Sequence, residues 1–541
     1  MAYNTCLTRP LVSRCVRTAT SYDVIHHLDL TARCCYSGSS TSPSKDKNNK
    51  NKRERVVILG SGWAGYAFAR TLDPKKFERV VISPRSYFVF TPLLASTSVG
   101  TLEFRTILEP VRRLPEVGFY QGWADDIDFN QKTIRVEANA IGDVGKTAPV
   151  LPAATSMTAA SSSPKTSPSS AKGDIFNVSY DKLVVACGAY SQTFGIEGVR
   201  DHAHFLRDIG DARRIRLRIL SLFEQCSYPR SVNGSGLSDE GKRTLLHFAI
   251  VGGGPTGIEF AAELNDLIYE DLARIYPDLL QFVRITVYDV APKVLPMFDQ
   301  ALAKYAMDTF ARAGIDVRTE HHLERLRLAD GELGARNGAL RIKIKEYGDE
   351  EVGAGLVVWS TGLMQNPLIE KLAGREFAVA SEEGGGGHAA VVDHLAKDAK
   401  TGGLVTDAYL QARTSSSSSI NNGGVLKDVF VIGDCAVVEG SSPPLPKTAQ
   451  VASQQAIHLA KRLNKGDITK KPFSFHNWGT LTYLGSWKAI HQSSADELKG
   501  WVAWIVWRGA YLTKSMSVRN KILVPVYWVM SWLFGRGISR F

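Results

Sequence analysis

The sequence predicts an α/β fold built on two Rossmann-like β-α-β units, followed by an amphipathic helical region at the C-terminus. Three observations carry this reading. One short apolar run ends in Gly60-Ser61-Gly62-Trp63-Ala64-Gly65, and another ends in Gly252-Gly253-Gly254-Pro255-Thr256-Gly257. Each run opens a helical pattern that leads to a further apolar strand. Beyond residue 500 the chain interleaves tryptophans with basic residues.

In the first unit a helix is expected over 66–72, ahead of Asp73-Pro74, and a strand over 79–82. In the second a helix is expected over 258–275, ahead of Pro277, and a strand over 284–288. The GxGxxG spacing has a physical meaning. Its first glycine allows the tight strand-to-helix turn, its second lets a pyrophosphate approach the backbone, and its third lets helix and strand pack. The pyrophosphate then meets free N–H groups at the positive end of the helix dipole. Two such turns in the required context therefore read as two dinucleotide sites.

The residue after the second strand separates the units. Asp289 follows Thr286-Val287-Tyr288 and suits an adenosine ribose 2′-OH, while repelling a 2′-phosphate. The first unit has Ser83-Pro84-Arg85 there, with no acid. A third signal is the apolar strand ending in Gly433-Asp434, where a carboxylate can meet a ribityl hydroxyl.

Charge narrows the class. Net charge is +11, but residues 1–55 carry +6 and residues 499–541 carry +7, so the body between them is near neutral. That excludes a basic groove for nucleic acid. The first 22 residues hold Arg9, Arg14 and Arg17, several Ser/Thr and no acid, the composition of a transit peptide. A processing neighbourhood is expected near Arg33-Cys34-Cys35-Tyr36-Ser37. Seven scattered cysteines form no CxxC or CxxxxC pair and read as reduced thiols, with no metal site expected. Segment 138–173 reads as a disordered polar insertion, and 227–243, 381–403 and 414–424 as surface loops.

No run of about 18 apolar residues occurs, so no transmembrane helix is expected. The tail holds Trp501, Trp504, Trp507, Trp528 and Trp532. Residues 501–513 read as one short helix, and 522–534 as an apolar run interrupted by Pro525. Both suit an interfacial position on lipid.

These residues resemble the type II (alternative, non-proton-pumping) mitochondrial NADH:ubiquinone oxidoreductase family. The matching stretches include VVILGSGWAGYAFAR (56–70), SPRSYFVFTPLLASTSVGTLEFR (83–105), VVACGA (184–189), FAIVGGGPTGIEFAAEL (248–264), VVWSTG (357–362), VFVIGDCA (429–436) and LPKTAQVASQQA (445–456). YLGSWKAI (483–490) and the tail match as well, so the resemblance covers residues 55–541 apart from the polar insertions.

The resemblance implies a glutathione-reductase-like flavoprotein fold in five parts: a presequence and basic linker (1–54), a first FAD-binding part (55–225), an NADH-binding domain (244–375), a second FAD-binding part with a quinone-side helix (404–465), and a membrane-anchoring domain (472–541). FAD is expected on Gly60, Ser61, Gly62, Trp63, Gly65, Ser83, Arg85, Gly433 and Asp434, with Ala186, Gly188, Lys447, Thr448 and Ala449 beside it. NADH, the substrate, is expected on Gly252, Gly254, Pro255, Thr256, Gly257 and Asp289, with Thr361 and Gly362 alongside. Glu259 is expected near the nicotinamide, and Gln450 and Gln454 on the flavin and quinone face. Hydride would pass from NADH to N5 of FAD, and two electrons would go on to ubiquinone. The expected setting is the matrix face of the inner mitochondrial membrane, held peripherally through lipid contacts of residues 501–541; a homodimer is a family expectation. The competing reading is an FAD/NADH-binding signalling or assembly flavoprotein of apoptosis-inducing-factor type. A flavoprotein disulfide reductase and a sulfide:quinone oxidoreductase both lack their cysteine pair here.

Overall fold

A computed structural model describes residues 53–139, 173–229, 236–379, 391–415, 424–493, 497–514 and 516–539. The presequence, its processing neighbourhood and nearly all of the 138–173 insertion lie outside these. In chain order, the elements that frame the site are β1 (Glu54–Leu59), α1 (Trp63–Thr71), β2 (Phe77–Ser83), β3 (Val117–Asp128), β4 (Lys182–Val185), α2 (Ile209–Ser227), β5 (His247–Val251), α3 (Pro255–Asp266), β6 (Arg284–Tyr288), β7 (Ile315–Arg318), β8 (Leu356–Trp359), β9 (Val425–Val431), α4 (Ala449–Lys465), β10 (Thr480–Gly485), β11 (Lys488–Gln492), β12 (Glu497–Gly500), α5 (Trp501–Lys514) and α6 (Val518–Phe534).

The first sheet has a parallel centre in the order β9-β4-β1-β2-β3, with Val57 opposite both Val80 and Leu183. Val56 and Ile58 point into the core under α1, while Val57 and Leu59 point into the opposite layer. Burial on both faces explains why β1 reads as an unbroken apolar run rather than an alternation. The second sheet is parallel in the order β8-β5-β6-β7, with Ile250 opposite Val287 and Val358. A short antiparallel pairing of Ala189–Ser191 with Leu363–Gln365 ties the two units together.

Both glycine-turn helices start earlier than the periodicity indicates, at Trp63 rather than 66 and at Pro255 rather than 258. The last residues of each GxGxxG are already the first helical turn, and Pro255 is preset for that position. After Asp266 the rod continues through a π-helical turn, Leu267–Leu272, to Ile275. Two polar breaks are not wholly loops. Asp239–Leu245 is a helix capped by the Ser238 hydroxyl, and Val391–Asp393 pairs with Phe377–Val379.

The tail departs most from expectation. β10, β11 and β12 form an antiparallel sheet that leads into α5, and α6 runs straight through Pro525. An internal proline costs about 3 kcal/mol. Burial of Asn520, Val524 and Trp528 at i, i+4 and i+8 offsets it. Ala503, Trp507, Val524 and Trp528 belong to the same core as α1 and α3. The opposite side exposes Trp501, Ile505, Ile522, Val526, Val529, Met530, Trp532, Leu533 and Phe534. Among the described residues no helix is long and apolar enough to cross a membrane.

Candidate active site

The first turn is built by steric closeness. Gly60 sits at φ +109°, and a Cβ there would meet the Ala186 carbonyl oxygen at 2.4 Å. Ala186 itself donates its N–H to Leu59 O, and Gly188 follows with a positive φ. A Cβ on Gly65 would lie 2.0 Å from Gly60 O, so helix and turn can touch only through glycine. A Cβ on Gly62 would meet nothing within 4 Å, and no side chain caps the start of α1. The free N–H groups of that first turn therefore face open space, which fits a pyrophosphate.

Beside them, the hydroxyls of Ser61 and Ser83 are 2.9 Å apart, and Ser61 lies 3.1 and 3.0 Å from the carbonyls of Arg85 and Tyr87. Arg85 reaches the buried carboxylate of Asp208 at 3.4 Å. Trp63 donates its indole N–H to Thr91 and packs edge-on against Phe88. From the other side, Gly433 turns at φ +81° and presents Asp434. Burial raises the Asp434 carboxyl, and the charges of Arg207 and Lys447 oppose that rise. Thr448 caps α4 through the Val451 N–H, with Ala449 as its first residue. These features fit FAD: an open pyrophosphate cradle at one end and a partly buried acid, able to accept a ribityl hydroxyl, at the other.

The second turn repeats the plan with different closures. Gly252 has φ +115°, and a Cβ there would meet Ser360 Oγ at 2.9 Å and Thr361 Cβ at 3.1 Å. Gly257 would clash with Gly252 O at 2.0 Å, whereas Gly254 faces open space and leaves α3 uncapped. Asp289 lies beneath the turn. One of its oxygens accepts the Gly253 N–H, and the other accepts the Ala291 N–H at 2.7 Å. A carboxylate has about four acceptor positions, so capacity for a ribose hydroxyl remains. Gly362 turns at φ +73° next to Phe194, and its carbonyl accepts the Gln192 N–H.

Between the turns lies a cleft lined by Thr91, Pro92, Leu94 and Ala95 from the first unit. Pro255, Thr256 and Glu259 line it from the second, and Leu481 and Tyr511 from the C-terminal region. Glu259 accepts the Tyr483 N–H at 3.2 Å and the Trp507 indole N–H at 3.3 Å. Burial pushes its carboxyl up to about 8, although both hydrogen bonds act to lower it.

Gln450 and Gln454 share one face of α4, and both clasp the 476–479 segment. Gln450 donates to Gly479 O at 2.7 Å and accepts the Trp478 N–H; Gln454 donates to His476 O at 2.8 Å and accepts its N–H. Sequence reasoning missed their neighbour Gln455, which is buried and accepts the Gly433 N–H at 2.7 Å. It also missed Ser360, whose hydroxyl donates to the Val251 and Gly252 carbonyls under the second turn. Adjacency to Thr361-Gly362 was the available signal for Ser360. Gln455 had none, because its partner is 22 residues away.

As expected of reduced thiols, Cys187, Cys226 and Cys435 are free, and Cys435 Sγ bonds the carbonyls of Val185 and Ile432 at 3.6 and 3.3 Å.

Residues 54–456 match the pyridine nucleotide-disulphide oxidoreductase family, and residues 477–537 match the NDH2 C-terminal domain. A probable NADH dehydrogenase of Dictyostelium discoideum is 36% identical over 90% of this chain and 91% of its own length. The external alternative NAD(P)H-ubiquinone oxidoreductase B3 of Arabidopsis thaliana mitochondria is 30% identical over 93% and 94%. The fold is shared with NDH2 from Plasmodium falciparum in complex with NADH, at TM-score 0.71, 23% identity, and coverage of 90% of this chain and 100% of that one.

Proposed function

The chain belongs to the pyridine nucleotide-disulphide oxidoreductase family, in its type II NADH:ubiquinone oxidoreductase branch, and we propose that it oxidises NADH and reduces ubiquinone at the matrix face of the inner mitochondrial membrane without pumping protons. FAD, held by the first glycine turn and by Asp434, would supply the hydride-accepting and two-electron chemistry.

The observation that carries this reading is the cleft itself. It is walled by both glycine-turn units and by the C-terminal region, and a buried acid lines it. The two uncapped helix starts, at Gly62 and Gly254, would hold the pyrophosphates of FAD and NADH. Asp289 selects NADH by engaging the ribose. Asp434 and Arg85 secure the FAD. Burial raises the Glu259 carboxyl, which favours its holding a proton in the cleft. Gln450 and Gln454 fix the 476–479 strap that borders the quinone face.

The exposed side of α5 and α6 rests on lipid. Burying four or five of its large apolar side chains is worth about 6–15 kcal/mol before ordering costs, and nearby lysines and arginines add roughly 1 kcal/mol each on anionic lipid. Removing the whole tail would open the core at Trp507 and Trp528, so the outer face is tested by substitution. Trp532→Ser with Phe534→Ser should abolish flotation with anionic liposomes while NADH-to-dye transfer persists; unchanged flotation would remove lipid from the partners. Steady-state NADH oxidation with a short-chain ubiquinone tests the activity, and absence of quinone-dependent turnover in FAD-loaded protein would overturn it.

A further inference from the structure

Just past the pairing of Ala189–Ser191 with Leu363–Gln365, the chain makes a turn with an unusual occupant. Thr193 to Ile196 close it, with the Ile196 N–H on the Thr193 carbonyl at 3.0 Å. Both central residues have positive φ, +54° at Phe194 and +71° at Gly195. Two successive positive values call for Asn-Gly, because a bulky side chain resists the left-handed region. Phenylalanine there is a backbone outlier, and the ring it carries is 59% exposed. The strain brings little burial in return, so packing does not account for it, and a functional reason is indicated.

The turn is pinned beside the second dinucleotide site. Gln192 donates its N–H to Gly362 O at 3.3 Å, and the buried Trp359 donates its indole N–H to Gln192 O at 2.9 Å. One edge of the Phe194 ring lies against Gly362, where a Cβ would meet ring atoms Cζ and Cε2 at 2.8 and 2.9 Å. Thr361, one residue back, packs on Gly252, and Asp289 stands on the other side of the turn, against Gly253. In the sheet, β5 runs between β6, which leads to Asp289, and β8, which leads to Thr361-Gly362. The outer two are two strand spacings apart, roughly 9.5 Å, room for one flat ring with a wall on either side. Val290, next to Asp289, is likewise an exposed apolar side chain. Two apolar surfaces thus flank the second glycine turn, and both face solvent.

We propose that Phe194 stacks on the adenine of NADH and is a positioning residue of the second dinucleotide site. The inference rests on the NADH-oxidising reading and adds a residue to that site. Pro255, Thr256 and Glu259 line the cleft between the units, which is where the nicotinamide goes, and Phe194 is not among the residues lining it. With the pyrophosphate at Gly254 and the adenosine ribose at Asp289, the adenine is left over the end of β5, between Val290 and Phe194. A purine offers a π face, so an exposed phenyl ring is a fitting partner. The left-handed backbone holds that ring at the rim before the nucleotide arrives, so less ordering accompanies binding. Phe194 takes no part in hydride transfer and acts on binding alone.

The test uses the full FAD-loaded chain, a dye as electron acceptor, and two nucleotide probes. ADP-ribose contains the adenine half of NADH, and reduced nicotinamide mononucleotide contains only the other half. Phe194→Asn puts the residue that the turn favours in place of the ring, so the variant should melt no lower than wild type. Its KM for NADH and its inhibition constant for ADP-ribose should both rise about tenfold, the scale of one base–aromatic stack, with kcat little changed. Oxidation of reduced nicotinamide mononucleotide should be equally fast in the two proteins. Phe194→Tyr, which keeps a ring, should retain most of the affinity. If Phe194→Asn does melt lower, Phe194→Gly, equally at ease at positive φ, carries the same expectation. Unchanged constants for NADH and ADP-ribose would overturn the proposal. An equal loss with reduced nicotinamide mononucleotide would overturn it too, by assigning Phe194 to the junction between the units. A wild-type flavin that NADH does not bleach would instead overturn the NADH-oxidising reading beneath it.

Discussion

At Gly60–Gly65 the loop is closed by two hydroxyls, Ser61 against Ser83, and the helix behind it is apolar through Ala64, Ala67 and Phe68. At Gly252–Gly257 the same backbone plan is closed by the Asp289 carboxylate, and the helix behind it carries an acidic stripe. The shared steric recipe leaves both helix starts open, which fits a pyrophosphate at each. On the proposed function the difference fits two tasks: a neutral closure and an inert helix suit a group that stays bound, whereas a charged closure suits a choice among nucleotides that come and go.

The sharpest way to break this comparison is to add one methyl group to each turn. A Cβ at position 65 or at position 257 would sit 2.0 Å from a carbonyl oxygen of its own turn. Gly65→Ala should purify without flavin absorbance. Gly257→Ala should keep its flavin but no longer be bleached by NADH, with overpacking of roughly 1–3 kcal/mol or more in each case. Equal loss of flavin in both variants would show that the turns do not divide the work.

A smaller effect is expected at the strand ends. Asp289→Asn should raise the NADPH-to-NADH ratio of kcat/KM roughly tenfold, the scale of one 1.4 kcal/mol interaction. Ser83→Ala should leave that ratio where it is. A ratio that ignores Asp289 would take nucleotide choice away from the second turn's closure.

The smallest effect is on stability. The Glu259 carboxyl lies at about 8 in the fold against an ordinary value of 4.5, so between those values the native state binds a proton that the unfolded chain has released. That stabilisation is fully present below 4.5 and is lost as pH rises through about 8. Melting temperature should therefore decline across that window by a few degrees, and Glu259→Gln should flatten the decline. An identical slope in the variant would mean that Glu259 does not titrate there.

Much of the site was legible in the chain because it depends on neighbours in sequence. A positive φ at Gly60 or Gly252, an open helix start at Gly62 or Gly254, and an acid at the end of β6 are all set within a few residues. The same locality explains what was misread. Pro525 reads as a break because local cost argues for one, whereas the helix persists because Val524 and Trp528 are buried against distant elements.

By itself the sequence determined two nucleotide turns, the β-α-β order around them and an amphipathic tail, since backbone sterics and side-chain periodicity act over short separations. Tertiary packing alone decided which tail face is inside, that Tyr483 and Trp507 reach Glu259 across 224 and 248 residues, and that three acids of α3 lie in the dark. Desolvation and long-range hydrogen bonding depend on what surrounds a group in space, and no local pattern of residues records that.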